Sequence, residues 1–223
     1  MKTIKLGTLL LFCAVSANFI AACAARSSAF GDQSNFKKHD VVKTDQTPGA
    51  VLTIAKVKAP VYAVRPLVIK GFRDSIPEYK AIKGLTYKAY SLSDGGRYFG
   101  GIYYWTSERD AKNWFNAGWF ARVEKKYGVP GTVDYYQVIS VKEAAEVNQT
   151  EAGFWAVLSL PAAPIIVDPN AAGLLKAVEL KDAAGQPGVL TVWNSKADAE
   201  QYFQNKQLAN TFFDVPILLD NAQ

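Results

Sequence analysis

The chain has 223 residues, of which 49% are hydrophobic and 13% aromatic, so it can bury one large core or two small ones. Its formal net charge is +5, but the basic residues are scattered along the chain, which argues against a nucleic-acid-binding surface. A single histidine and two cysteines provide too few ligands for a zinc or haem site. The carboxylates are not spaced as a metal site either, so we expect no metal and no cofactor.

The first 22 residues have the layout of a signal peptide. Lys2 and Lys5 form a basic start, an uncharged apolar stretch follows over residues 6–22, and small residues close it at 21–25. This order of basic, apolar and small residues is typical of export. The alternative is a transmembrane anchor, which needs about 20 apolar residues and usually contains more leucine and valine.

The end of this leader resembles the lipobox of bacterial lipoproteins. The residues Ile20-Ala21-Ala22-Cys23 carry the resemblance, which implies cleavage before Cys23 and a lipid on its thiol. Because Ala24 follows the cysteine, the resemblance also implies sorting to the periplasmic side of the outer membrane. The alternative is cleavage after Ala24 and simple secretion or release into the periplasm. Cys13 lies in the leader, so the mature chain has no disulfide under either alternative.

Residues 23–49 are polar and rich in turn-forming residues, which predicts a flexible tether. The only histidine, His39, lies in this segment. A solvated tether residue is a better interpretation of His39 than a ligand or a catalytic base. A Ser-His-Asp triad within the following domains is therefore excluded.

Residues 50–145 are predicted to form one α+β unit with the order β-α-β-β-α-β, as in ferredoxin-like proteins. The predicted strands are 61–69, 85–92, 98–105 and 132–141. A short amphipathic helix is expected over 72–82, with Pro77 as an interruption. Ser107 and Asp110 match a capping box, and the helix after them is interrupted at 116–118 and ends at the glycine and proline of 128–131.

A second copy of this unit is indicated by matches at a constant offset of 88 residues. Trp105 and its capping-box residues recur at Trp193, Ser195 and Asp198, and Lys88-Ala89 recurs as Lys176-Ala177. The second unit, residues 152–221, is reduced, because its first crossover contains three prolines and leaves little room for a helix. Its strands are expected at 154–160, 174–180, 188–193 and 212–219, its helix extends to about residue 209, and the linker covers 142–149.

Each predicted unit has a four-stranded antiparallel sheet with helices on one face only. The other face is apolar or aromatic and has to be covered. We therefore expect the two ferredoxin-like units to pack sheet against sheet within one chain, as an internal pseudo-dimer that leaves the chain monomeric.

The first unit resembles the monooxygenase branch of the dimeric α+β barrel superfamily, which includes the antibiotic-biosynthesis monooxygenases. The motif that carries the resemblance begins at Tyr98-Phe99-Gly100-Gly101-Ile102-Tyr103-Tyr104-Trp105 and continues through Trp119-Phe120-Ala121-Arg122-Val123 to Tyr127-Gly128. The resemblance covers roughly residues 67–141 and is weaker over 154–220. It implies a ferredoxin-like fold and, by analogy with some members, cofactor-free oxidation of a phenol-like substrate in an aromatic pocket.

The candidate pocket residues are aromatic or cationic side chains of the first unit. They are Tyr87, Arg97, Tyr103, Trp105, Trp119, Arg122 and Tyr135. An arginine could hold a phenolate or a carboxylate. For each aromatic residue, a place in the hydrophobic core is the competing interpretation.

The sequence favours an exported protein that binds a small hydrophobic or aromatic ligand. One alternative is an active cofactor-independent monooxygenase acting on a phenol-like substrate. Another is a structural or interaction lipoprotein of the envelope. An enclosed cavity between sheet and helices, lined by Arg97 or Arg122 together with a tyrosine hydroxyl, would favour the enzyme, and a fully packed interior would exclude it.

Overall fold

The computed structural model describes residues 38–45, 48–145, 151–161, 164–206 and 208–221, with the backbone alone for 38–45. The predicted signal peptide, Cys23 and the start of the predicted tether lie outside these residues. Among the described residues, no helix has both the length and the hydropathy needed to cross a membrane.

The described chain consists of strands with four helices packed around them. The strands are β1 Lys38–Asp45, β2 Val51–Lys58, β3 Leu85–Ser93, β4 Tyr98–Trp105, β5 Gly131–Ala145, β6 Glu151–Ser159, β7 Leu174–Lys181, β8 Pro187–Trp193 and β9 Asn210–Asp220. The helices are α1 Arg65–Lys80, α2 Glu108–Trp114, α3 Ala117–Tyr127 and α4 Lys196–Phe203.

Eight of these strands, β2 to β9, close into an antiparallel barrel. Their order is β5-β2-β4-β3-β9-β6-β8-β7, and β7 pairs back with β5. The long strand β5 makes this closure possible, because residues 131–137 pair with β2 and residues 137–143 pair with β7. Closure satisfies backbone groups that an open sheet would leave at its edges. Strand β1, within the predicted tether range, pairs with the end of β5 outside this barrel.

Each half of the chain contributes four consecutive barrel strands in the same spatial order. In both halves the fourth strand lies beside the first, and the third lies between the first and the second. The two sets are joined at both edges, β3 to β9 and β5 to β7. Their inner faces therefore meet across the barrel interior, which is filled with apolar side chains such as Leu52, Ile102, Phe154, Val192 and Leu218.

The predicted first strand, residues 61–69, is wrong. The first barrel strand of this half is β2, and α1 begins at Arg65, with Pro66 in its first turn. Proline is tolerated there because the first helical N–H groups have no partner within the helix. The β-branched residues of this run favour a strand locally, but tertiary packing overrides that preference. Helix α1 is also longer than the predicted 72–82, and Pro77 lies within it.

Other boundaries also differ from the prediction. Strand β5 continues to Ala145, into the predicted linker, because pairing with β7 gives its backbone groups partners. Helix α4 ends at Phe203 rather than near residue 209. Between β6 and β7 the described residues form no helix.

Candidate functional site

A cavity of about 420 Å³ lies on the helix side of the first half. Its floor is the outer face of β2, β3 and β4, and its walls are α1 and α3. Because side chains alternate along a strand, Tyr87 and Ala89 of β3 line the barrel interior, whereas Lys88 and Tyr90 line the cavity. The exposed side chains of Tyr62 and Leu67 lie among its lining residues.

The α2–α3 break orients one wall of this cavity. Asn116 begins a new helix there, and its side-chain oxygen accepts a hydrogen bond of 3.0 Å from the Trp119 backbone N–H. One turn later, Val123 lies on the same helix face as Trp119, and both line the cavity. The start of β5 has to approach Trp119 closely, since a Cβ atom at Gly131 would lie 2.9 Å from the indole ring.

Lys88 is the charged side chain at the centre of this site. The residue is only 2% exposed, and it is the sole Lys, Arg, Asp or Glu among the buried residues that the structure describes. Its Nζ lies 2.9 Å from the ring centroid of Tyr79, 3.7 Å from that of Tyr90 and 4.8 Å from that of Tyr103. No carboxylate of the described residues lies within ion-pair distance of this amine.

Burial lowers the pKa of Lys88 well below its ordinary value, because desolvation penalises the ammonium form. The nearby charge of Glu78 acts in the opposite direction but is weaker. Contacts with aromatic faces also favour the ammonium, by about 0.5–2 kcal/mol. Removing an ion from water costs several kcal/mol even after relaxation, so desolvation is the larger effect. Lys88 therefore loses its proton more readily than an exposed lysine.

The rings of three tyrosines surround this amine, and their phenol groups are neutral. Desolvation raises the pKa of Tyr79 to about 12 and raises the pKa values of Tyr90 and Tyr103 as well. The Tyr90 hydroxyl is 3.1 Å from the Ser75 hydroxyl of α1. Because these phenols remain protonated at neutral pH, they can donate hydrogen bonds to a bound oxygen atom.

Gly101 leaves room for this arrangement on β4. It lies opposite Tyr90 in the sheet, on the face that carries Lys88 and Tyr103. A Cβ atom at Gly101 would lie 3.1 Å from the Lys88 Cε and equally close to the Tyr103 ring. The lysine stem therefore crosses the space that a side chain at position 101 would occupy.

Two of the seven candidate residues, Tyr103 and Trp119, line the cavity. Trp105 lies beneath it, stacked on Tyr103 with ring centroids 6.0 Å apart, and Tyr135 packs at the edge of the same cluster. Tyr87 lies on the opposite face of the sheet, beside a void of about 20 Å³ in the barrel interior.

Neither candidate arginine lines the cavity. Arg97 follows the turn between β3 and β4, where its side chain is 74% exposed and pairs with Asp94 at 2.5 Å. Arg122 is exposed on α3. The cationic side chains that line the cavity are Lys88, which is buried, and Lys126 of α3, which is exposed.

Sequence reasoning missed Lys88, Tyr79, Tyr90 and Ser75 as site residues. A signal for Lys88 was present, because a lysine inside an apolar strand shares a face with Tyr90 and Leu92. The alternation of β3 predicted Leu85 on the same face as Tyr87 and Ala89, but a bulge between Leu85 and Tyr87 places Leu85 on the helix side instead. Which face the helices cover depends on the position of α1, which was misplaced.

Two solved structures share this fold. One is named "Putative monooxygenase", from Fusobacterium nucleatum subsp. nucleatum; it matches with a TM-score of 0.56 and 11% identity, over 78% of this chain and 95% of that chain. The other is an "anthrone oxidase-like protein", with a TM-score of 0.51 and 10% identity, over 81% of this chain and 98% of that chain. Since each half makes up less than half of this chain, both likenesses extend across the two halves.

No protein-family model and no curated protein matches the sequence. At identities of 10–11% the structural likeness shows the fold alone. The chemistry of this chain has to be argued from its own residues.

Proposed function

We propose that this protein binds a small hydrophobic or aromatic molecule in the cavity between α1, α3 and the outer face of β2–β4. The observation that carries this proposal is the cavity itself, whose volume of about 420 Å³ lies within the range of small-molecule sites. Its walls are mainly apolar and aromatic, with few polar groups that point inward, which is the usual composition of such sites.

The second candidate function is a cofactor-independent monooxygenase that acts on a phenol-like substrate. Lys88 favours it, because a desolvated amine beside three tyrosines can accept a proton and hydrogen-bond the resulting anion. The two similar structures are named "Putative monooxygenase" and "anthrone oxidase-like protein", and names of this kind are consistent with an oxidation. Once deprotonated, an electron-rich phenolate can react with oxygen without a metal.

The barrel is proposed to be a tandem of two ferredoxin-like units. The identical strand order of the two halves supports this. So do the matching helix caps, in which Ser107 accepts a hydrogen bond from the Asp110 N–H and Ser195 accepts one from the Asp198 N–H. Such a chain forms within itself the barrel that smaller proteins build as a dimer.

Export and lipid attachment at Cys23 remain proposals that rest on the leader sequence, as does the alternative role of a structural envelope lipoprotein. Mass spectrometry of the mature N-terminus, purified from a bacterial envelope, tests them directly. A diacylglyceryl mass on Cys23 supports the anchor. An unmodified N-terminus at Ala25 supports simple secretion.

Ligand binding is tested by filling the cavity without removing any of its polar groups. Val68 of α1 lines the cavity, whereas Val61 is fully exposed and does not. We expect Val68→Trp to lower the affinity for aromatic probes by at least about tenfold, or about 1.4 kcal/mol, and Val61→Trp to leave it unchanged. Affinities are measured by quenching of intrinsic fluorescence, with each variant's own baseline. Equal affinities in the two variants would contradict binding at this site.

Catalysis is tested by oxygen uptake with anthrone and related phenols. We expect uptake by the wild type and loss of uptake in Lys88→Met, with unchanged uptake in Lys70→Met, since Lys70 is exposed on α1 and pairs with Asp74. Absence of uptake with every substrate would favour a binding protein over an enzyme.

A further inference from the structure

We infer that Lys88 is the proton acceptor of the cavity, so that the site selects a weakly acidic phenol or enol and holds it as its anion beside the Lys88 ammonium. This inference rests on the proposed ligand cavity and adds a substrate class and a residue role to it.

The first observation is that Lys88 is a buried amine with no counter-ion among the residues that the structure describes. Another lysine with an aromatic contact, Lys176 of β7, does have a carboxylate partner. The Nζ of Lys176 lies 2.9 Å from a carboxylate oxygen of Glu143, and it also lies over the Tyr87 ring at 4.0 Å. Lys88 has comparable aromatic contacts but no such carboxylate among the described residues. An anionic ligand would supply the missing partner.

The second observation is that the amine borders the cavity rather than the solid core. Lys88 is among the residues that line it, together with Tyr79 and Tyr103. The aliphatic stem crosses above Gly101, which has no side chain to displace it. A ligand oxygen in the cavity can therefore reach both the amine and a tyrosine hydroxyl.

The charged and titratable groups around Lys88 include one other possible base, the exposed carboxylate of Glu78, which also lines the cavity. From α1 it faces Tyr79 and, at the surface, Glu78; from its own strand it faces Tyr90, and from β4 it faces Tyr103. Lys126 and Tyr127 of α3 also line the cavity. These groups are neutral phenols, one more amine and an exposed carboxylate, so Lys88 is the buried group that can accept a proton.

The step is a proton transfer. The O–H bond of the ligand breaks, its electron pair stays on the ligand oxygen, and an N–H bond forms at Lys88 Nζ. A neutral amine and a neutral phenol become an ammonium and a phenolate in contact. The complex has no net charge change, and the transfer itself needs no oxidant.

The test uses para-nitrophenol, whose absorption differs between phenol and phenolate, and para-nitroanisole, its methyl ether, which is one methyl group larger and has no acidic proton. In the full-length wild type we expect the bound nitrophenol to show the phenolate spectrum at a pH where the free probe is mostly protonated. We expect Lys88→Met to lower nitrophenol affinity by about tenfold or more, while nitroanisole affinity changes by less than about twofold. Lys70→Met serves as the charge-matched control.

The outcomes separate this inference from the proposed cavity. A bound nitrophenol that stays protonated in the wild type, or one that remains phenolate in Lys88→Met, would overturn the role of Lys88 while nitroanisole binding leaves the cavity in place. Binding of neither probe would overturn both. The wild-type spectra need no variant, so the inference stays testable even if Lys88→Met fails to fold.

Discussion

The helix-side faces of the two halves share a frame, which consists of a buried tryptophan, a glycine before the second strand and the capped start of a helix. Trp105 and Trp193 are both completely buried, and each indole donates a hydrogen bond to a threonine hydroxyl, at 2.9 Å and 2.7 Å. In both halves a glycine with positive φ, Gly84 or Gly173, precedes the second strand, and its backbone packs against the aspartate of the helix cap.

The same faces differ in what lies beside the tryptophan. In the first half Lys88 is paired with Tyr103, and α1 covers a cavity. In the second half the corresponding pair is Ala177 and Thr191, and Val167, from the segment between β6 and β7, packs into the cluster around Trp193. The difference teaches that one frame can support either a packed core or a site, depending on whether a helix or a short segment covers the sheet.

The largest effect is expected from removing the shared tryptophans. Trp105→Ala and Trp193→Ala each leave a cavity and a threonine without its indole partner, so each should lower the free energy of unfolding by about 3–5 kcal/mol. Urea denaturation measures both, with the exposed Val61→Ala as a control. A cost of less than about 1 kcal/mol for only one of them would show that the frames are not equivalent.

Alkaline pH should destabilise the first half before the second. Burial raises the pKa values of three tyrosines, Tyr79, Tyr90 and Tyr103, above 10. The contribution of these neutral phenols to the free energy of unfolding is therefore complete below pH 10 and is lost as the pH rises above 10. For Tyr79, with a pKa of about 12, the loss is about 2–3 kcal/mol at the usual 1.4 kcal/mol per pKa unit. Hydrogen exchange measured above pH 10 should show β3 and β4 opening first, and earlier opening of β7 and β8 would contradict this.

Lys88→Met should stabilise the protein, whereas a purely structural lysine would leave it less stable when replaced. Methionine removes a buried amine that has no carboxylate partner among the described residues and whose charged form burial disfavours. Replacing buried charged groups by apolar side chains of similar volume can stabilise a protein by about 1–4 kcal/mol, so a gain of about 1 kcal/mol or more is expected. The stability that the protein loses by burying Lys88 is lost in full at pH values below the lowered pKa of Lys88, and the loss disappears above pH 10.5, the ordinary pKa of lysine. The difference between variant and wild type should therefore narrow as the pH rises.

The matched substitution in the second half is Lys176→Met. It separates Glu143 from its partner, and because both side chains are partly exposed we expect a loss of about 0–1 kcal/mol. Thermal unfolding of both variants at neutral pH compares the two lysines. Destabilisation by both would assign Lys88 to the core.

The smallest effect is expected at the helix caps. Ser107→Ala and Ser195→Ala each remove the acceptor for a backbone N–H, at 3.2 Å and 3.1 Å, and each should cost about 1 kcal/mol. Chemical denaturation measures both, and replacement by threonine, which keeps the capping hydroxyl, should recover most of the loss. If the two variants lose different amounts of unfolding free energy, the two halves differ at their helix caps.

Local patterns in the sequence were sufficient for several elements. Local patterns predicted β3 and β4 as strands, although a bulge moves Leu85 to the other face of β3. The Ser107–Asp110 and Ser195–Asp198 spacings predicted the starts of α2 and α4. These features depend on residues close together in the chain. The same kind of reasoning failed at residues 61–69, because β-branched preference is weaker than the packing of α1 against Tyr90 and its neighbours.

Which residues of the two halves occupy equivalent positions could be decided only from the strand pairing. The offset of 88 residues predicts Lys176 as the counterpart of Lys88, and the tryptophans do follow that offset. In the structure Leu85 is opposite Trp105 and Leu174 is opposite Trp193. The second strand of each half therefore follows an offset of 89 residues rather than 88. As a result Lys176 lies opposite Val192 and faces the barrel interior. A shift of one residue moves every side chain to the other face.

The sequence by itself determined most strand-forming segments and the helix caps, because each is encoded by side-chain spacing within a few residues. The tertiary structure alone decided the closure through β5, the position of α1 over the sheet and the burial of Lys88 without a carboxylate partner among the described residues. These features depend on which distant segments pair and on how much water their packing excludes, and a local pattern contains neither.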